Sequence, residues 1–265
     1  MTSAGSSRAG GPVRIAVSGG TGVVGRYVVS ELARRGLDHV VLSRSNGVDL
    51  MTGRGLDDRL AGVTTVVDVS NKETQRRAAA EAFFGGVTER LRAAGERHGV
   101  GHHVALSIVG ADDVDTGYYA GKRRQEQVLA DGAVPWSLLR ATQFHEFAEQ
   151  VLGFARLGPI SLVPRMRTQP VAAAEVAEAL VDLALARPVG WAPDLAGPEP
   201  HQLVDLSRRV ASASYPRRRV VPVRLPGAGG RALREGALLA RAGARHGRLG
   251  FDEWLAGRAD PPDVP

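Results

Sequence analysis

The chain has 265 residues and no cysteine, with 43% hydrophobic and 23% charged residues and a formal net charge of +6. That balance excludes a disordered or fibrous chain, and the missing cysteine excludes disulfides, thiol catalysis and cysteine-held metals and fits a reducing, cytoplasmic setting. No apolar run is long enough to span a membrane, and the positive charge, nearly all arginine, is spread along amphipathic segments instead of forming a stripe for nucleic acid.

Residues 1–12, rich in Ser, Gly and Ala, read as a disordered leader. Residues 14–18 form a short apolar run ending in glycines, and helical periodicity follows from Val23 to Arg35, closed by Gly36. β-branched runs at 40–43 and 63–69 predict the next two strands, with a short helical pattern at 56–60 between them. The spacing of Phe83, Val87, Leu91 and Ala94 predicts a helix over 78–98. A strand at 104–108, a helix through 126–130 and a strand at 136–140 complete an alternation that implies right-handed crossovers and a parallel sheet covered on both faces. Beyond about residue 150 proline and glycine rise and the alternation loosens. Helices are predicted at 171–186 and 203–213, and 222–247 mixes Pro and Gly with a helical Ala/Leu/Arg stretch. The expected fold is α/β: a Rossmann-type, doubly wound parallel sheet over 13–155, a smaller substrate-side lobe over 156–258 that sends segments back to the sheet, and a disordered tail at 259–265.

Gly19, Gly22 and Gly25 follow a strand and open a helix. In that context Gly19 allows the tight turn, Gly22 admits a pyrophosphate, and Gly25 lets helix pack on strand. A pyrophosphate would rest on the free N–H groups of the Thr21 to Gly25 segment, including Val23 and Val24, at the positive end of the helix. The second strand ends in Ser43-Arg44, with no acidic residue to accept from a ribose 2′-hydroxyl; Arg44 suits a 2′-phosphate by its planar fork, so NADP(H) is the expected cofactor, although an exposed arginine without a ligand also fits. Asp49 and Leu50 come next, where the carboxylate could accept from the adenine amino group. Asp68, Val69 and Ser70 end the third strand and are expected to face the cofactor.

Ser107 ends the fourth strand, and Tyr118 and Lys122 stand at i and i+4, on one face of a helix. A lysine beside the nicotinamide ribose would lower the tyrosine pKa, and the tyrosine would protonate a carbonyl that Ser107 polarises as hydride arrives. Tyr118 and Tyr119 also fit packing aromatics, and Lys122 a pair with Glu126. His145 reads as a structural histidine. His102 and His103, on opposite faces of a strand, cannot share a metal, and Asp112, Asp113 and Asp115 read as a solvated turn, so no metal is expected. Arg217-Arg218-Arg219 is the one local cationic cluster; no diphosphate-binding set is evident beyond it.

The segments Ser18-Gly19-Gly20-Thr21-Gly22-Val23-Val24-Gly25, Leu106-Ser107-Ile108-Val109-Gly110, Tyr118-Tyr119-Ala120-Gly121-Lys122, Pro135-Trp136-Ser137-Leu138-Leu139-Arg140-Ala141-Thr142-Gln143-Phe144 and Gln169-Pro170-Val171 together resemble the NmrA-like branch of the atypical short-chain dehydrogenases/reductases, which includes NAD(P)H:quinone reductases. The resemblance implies a Rossmann core, NADP(H) preference, contact between Lys122 and the nicotinamide ribose, and a pocket lined by Thr142, Gln143 and Phe144. Phe144 and Phe147 suit a planar, apolar small-molecule substrate. The leading expectation is an NADPH-dependent reductase acting on a quinone, ketone or similar conjugated acceptor. The alternative is a non-catalytic NADP(H) sensor that acts through a protein partner. The sequence does not decide between a monomer and a homodimer.

Overall fold

The structure, a computed structural model, describes residues 13–258; the leader and tail expected at 1–12 and 259–265 lie outside the described residues. In chain order the first half runs β1 (Arg14–Ser18), α1 (Val23–Arg34), β2 (Asp38–Leu42), α2 (Leu56–Leu60), β3 (Thr65–Asp68), α3 (Arg77–His98), β4 (His102–Ile108), α4 (Gly117–Ala130) and β5 (Trp136–Ala141). The second half runs α5 (Phe147–Phe154), β6 (Arg156–Leu157), β7 (Ile160–Pro164), β8 (Arg167–Thr168), α6 (Ala173–Leu185), β9 (Gly190–Trp191), β10 (Leu195–Ala196), β11 (His201–Gln202), α7 (Leu203–Ser214), β12 (Arg219–Val223), α8 (Gly227–Glu235), β13 (Arg245–His246) and α9 (Phe251–Gly257).

The main sheet has the order β2-β1-β3-β4-β5-β10-β13, all parallel, with β9 also pairing on β5. From β1 the chain steps outward to β2 and then returns to β3 on the other side of β1. That reversal opens the crevice outside the carboxyl ends where α/β sheets bind ligands. Helices α1 and α6 cover one face, and α3 and α4 the other.

Alternation along the strands feeds both layers. Ile15, Val17 and Val67 pack under α1 and α6 with Val28, Leu32 and Leu180, while Ala16 and Val66 point the other way, to Leu56, Val87 and Leu91. A further core joins α5, α7, α8 and α9 to β7 through Val151, Val163, Leu206, Val210, Leu233 and Phe251. Beside it, β12 and β7 are parallel with β6 antiparallel at the edge, and β8 pairs β11 antiparallel. Among the described residues no helix is long and apolar enough to cross a membrane.

The predicted helix at 126–130 proves to be only the last turn of α4. Its start, Gly117-Tyr118-Tyr119-Ala120-Gly121, carries no apolar period. The smallness of Gly121 serves contact instead, since a Cβ there would stand 2.7 Å from Ala80 Cβ and from Phe84 on α3. The helix predicted from 171 begins at Ala173, because Val171 forms a bridge with Phe144.

Candidate functional site

Gly19 turns the chain at φ +78°, and a Cβ there would lie 2.7 Å from the backbone of Val69 and Ser70. β1 and β3 therefore meet edge to edge at the reversal of strand order. The turn closes with the Gly22 N–H donating to the Gly19 carbonyl at 2.9 Å. α1 then opens with Gly22 as its cap, no side-chain cap and no acidic residue in its first turn, so the N–H groups of Val23, Val24 and Gly25 have no intrahelical acceptor. Thr21 and Gly22 are exposed, and Gly25 is buried against Gly19 and Gly20. This glycine cradle fits a dinucleotide diphosphate on geometry alone: space that Cβ atoms would fill, and N–H groups at a positive helix end. The Val24 side chain belongs to the core beneath, which leaves only its backbone for a ligand.

After β2, Ser43 bonds Ser45 through their hydroxyls at 2.8 Å, and Arg44 starts one 3-10 turn, Arg44–Asn46. Arg44 is exposed, and among the described residues no carboxylate pairs with it. Asp49 is engaged within its own turn. Its Oδ1 accepts from the Met51 N–H at 2.9 Å, which with the Thr52 N–H holds its pKa low; the carboxylate caps its own turn. Leu50 is half-buried against the core around β2.

The Asp68 side chain points into a helix layer. It is fully buried, and its carboxylate accepts from the Ser70 N–H (3.0 Å), Gln125 Nε2 (3.1 Å) and Thr88 Oγ1 (3.4 Å). Both faces of a parallel sheet are covered, so a side chain still within the strand points into a helix layer; only residues past its end reach the rim. Val69 and Ser70 are also buried, Ser70 with its hydroxyl unpartnered beneath Gly19. The rim residue is Asn71, which is exposed.

Tyr118 donates to Asn71 Oδ1 at 3.0 Å, and its ring meets Phe84 edge-on at 5.5 Å. Tyr119 packs instead against the second core, so of the doubled tyrosine it is Tyr118 that reaches the rim. Burial pushes the Tyr118 pKa above its ordinary value, with Glu73 adding to the effect. Lys122 has its own partners. It is buried, donates to the Leu106 carbonyl (3.0 Å) and Gln125 Oε1 (2.9 Å), and lies 4.4 Å over the Phe84 ring. Burial lowers its pKa to about 8 against the opposing pull of Asp68 and Glu126. Ser107 is engaged elsewhere too, donating to Glu126 Oε1 at 2.5 Å. Glu126 in turn takes Arg140 through both oxygens at 2.8 and 2.6 Å, and Arg140 reaches Asp112 at 2.7 Å. Ser107, Tyr118 and Lys122 thus share one region but not one hydrogen-bonded set: Glu126 holds Ser107, the Leu106 carbonyl and Gln125 hold Lys122, and the exposed Asn71 holds Tyr118.

The segment expected to line a pocket is a seam between the two cores. Thr142 Oγ1 donates to the Gln169 carbonyl (2.5 Å), and Gln143 Oε1 accepts from Thr168 (2.7 Å). Both are buried, and Gln143 Nε2 has no partner. Phe144 is half-buried against the first core and Phe147 against the second. These contacts follow from the chain crossing from sheet to lobe, where polar side chains must satisfy loop backbone. His145 Nε2 meets the Leu249 carbonyl at 3.1 Å, and its ring packs on Phe251 and Trp254.

No family model matches the chain. The (4-alkanoyl-5-oxo-2,5-dihydrofuran-3-yl)methyl phosphate reductase of Streptomyces griseus is 31% identical over 144 residues, 49% of this chain and 48% of that protein. The chain therefore matches about half the length of this curated relative. Solved structures cover far more of it. A short-chain dehydrogenase/reductase superfamily protein from Agrobacterium tumefaciens with bound NAD aligns at a TM-score of 0.67 and 18% identity, over 93% of this chain and 96% of that one. The fold is the Rossmann fold of these proteins. The UDP-glucose 4-epimerase of Thermus thermophilus, in complex with NAD, aligns at 0.62 and 20% identity over 96% and 95%. The UDP-N-acetylglucosamine 4-epimerase of Bacillus cereus aligns at 0.67 and 17% over 96% and 99%.

Proposed function

We propose that the chain is an NADPH-dependent reductase of the atypical short-chain dehydrogenase type, NmrA-like, acting on a small conjugated carbonyl compound such as a quinone, an enone or an unsaturated lactone. The observation that carries this reading is Arg44: an exposed guanidinium without a carboxylate partner among the described residues, two residues past β2, on the rim shared with the glycine cradle. A 2′-phosphate is the group such a cation accepts best. The N–H groups of Val23, Val24 and Gly25 would hold the diphosphate, and Ser43 and Arg44 the 2′-phosphate. The bound nicotinamide supplies the hydride.

Tyr118 holds the proton. A phenol is protonated at neutral pH even at its ordinary pKa, so it enters as a donor to the oxygen where negative charge grows. In the free protein that proton is donated to Asn71 Oδ1, and the hydroxyl would turn from this acceptor to the substrate oxygen. Lys122, buried below, positions α4 on β4 through the Leu106 carbonyl. The name of the Streptomyces relative describes a ring C=C conjugated with carbonyl groups, the kind of acceptor that takes a hydride at carbon and a proton at oxygen.

The test is calorimetric titration with NADPH and NADH, followed by absorbance decay against quinones, enones and unsaturated lactones. Tighter NADPH binding with acceptor-dependent oxidation supports the reading. Binding without oxidation of any acceptor overturns the reductase assignment in favour of a cofactor sensor.

A further inference from the structure

We propose that the lobe carries a seat for a phosphate monoester borne by the acceptor substrate, built from Arg165, Arg208, Arg224 and Arg234; the identity of the bound molecule as substrate rests on the reductase reading. These arginines line one cavity of about 370 Å³ together with Gln202 and Asp205. They come from four places: just past β7, on α7, just past β12, and on α8. Sequence distance hides the cluster, and the parallel register of β7 and β12 creates half of it. Pro164 lies opposite Val223, and the Arg165 N–H donates to the Val223 carbonyl at 2.8 Å, so Arg165 and Arg224 leave neighbouring strands at the same level.

Two like charges side by side on adjacent strands repel. Among the described residues neither guanidinium has a hydrogen-bond or ion-pair partner that would relieve this. Arg234 is already oriented, its Nη1 donating to the carbonyls of Leu225 (2.9 Å) and Gly230 (2.8 Å). The one carboxylate in the lining, Asp205, faces Arg208 at 3.3 Å. Four cations against one anion leave three positive charges around a concave space, and a phosphate dianion offers several oxygens to such planar donors.

No lining residue is aromatic, so a nucleobase finds no stacking platform, and the volume sits low in the range of small-ligand sites. That favours a monoester over a nucleoside diphosphate. Helix α8 connects the cavity to the rim: a Cβ on Gly229 would lie 3.2 Å from Thr116, which caps α4 two residues before Tyr118. Arg234 follows five residues on, about 7.5 Å along a helix axis. The contact of Gly229 with Thr116 thus joins a helix that walls the cavity to the helix that carries Tyr118.

The experiment titrates phenyl phosphate into the full chain with and without saturating NADPH, and does the same for the Arg165→Ala/Arg224→Ala double variant. Both positions are exposed, and a thermal melt verifies that the variant is folded. The expected result is binding by the parent and a loss of about 100-fold in the double variant, roughly tenfold per charge-assisted pair, with NADPH affinity unchanged. No binding by the parent, or equal binding by the variant, overturns the seat. So does a ten-nucleotide RNA that binds through the same arginines where phenyl phosphate does not. If phenyl phosphate binds as expected but NADPH does not bind, the seat stands and the reductase reading alone falls.

Discussion

Gly25 of the first helix lies so close to Gly20 of the preceding turn that a Cβ on Gly25 would stand 2.6 Å from the Gly20 Cα. Backbone cannot yield there as a flexible side chain would. Gly25→Ala should therefore lower stability by about 1–3 kcal/mol and abolish dinucleotide binding by displacing the α1 N–H groups. Gly22→Ala meets only the Gly19 carbonyl, at 3.3 Å, and should keep most of the stability while weakening binding. Urea melts beside cofactor titrations separate the two effects.

Arg44 gives a sharper discrimination. Arg44→Ala should weaken NADPH by about 10- to 100-fold, the worth of a charge-assisted bidentate contact, and leave NADH within about twofold. Equal weakening of both cofactors would remove the 2′-phosphate role.

Tyr118→Phe should reduce turnover by roughly 10²- to 10⁴-fold with cofactor affinity unchanged, whereas Tyr119→Phe, whose ring packs on the lobe, should leave turnover near the parent value. Ser107→Ala should act on stability first, because its hydroxyl is already committed to Glu126. A turnover loss from Ser107→Ala as large as that from Tyr118→Phe, without a change in melting, would return the serine to the reacting group.

Acid stability depends on Glu31. Hydrogen bonds from Arg34 and, beyond the cost of burial, from Arg35 lower its pKa from the ordinary 4.5 to about 2. A carboxylate with a depressed folded pKa contributes stability above its unfolded value and loses it as pH falls through the folded one. The contribution, about 1–2 kcal/mol after screening through the exposed Arg34, should be present above pH 4.5 and fade toward pH 2. Chemical denaturation of Glu31→Gln across that window should show a flatter acid limb than the parent.

The sheet and the glycine cradle were legible because their signals are local: β-branched runs, a strand ending in glycines, helical spacing up to Gly36. Arg44 was legible for the same reason, as the residue that ends a run. What escaped notice depends on depth and register. Asp68 and Asn71 are three residues apart, and nothing in the sequence says which lies inside the last covered layer. Lys122 and Tyr118 share a helix face as expected, but that face lies on Phe84 of α3, and the lysine turns inward to the Leu106 carbonyl. Strands of two residues, such as β9, β10 and β13, are too short to show any period. The four lobe arginines lie in no common run, so the triplet at 217–219 was the cluster the sequence displayed.

The return of late segments to the early sheet has a consequence for how this molecule can be taken apart. α6 covers α1, and β9, β10 and β13 extend the sheet beyond β5. A chain ending at residue 155 would leave Val28 and Leu32 without the cover of Leu180 and strip β5 of its outer neighbours. The half that holds the glycine cradle is therefore not an independent module that could be grafted or expressed alone. Melting should proceed as one transition that a ligand at either end delays, so that a phosphate ester in the lobe would protect the amides of α1 from hydrogen exchange.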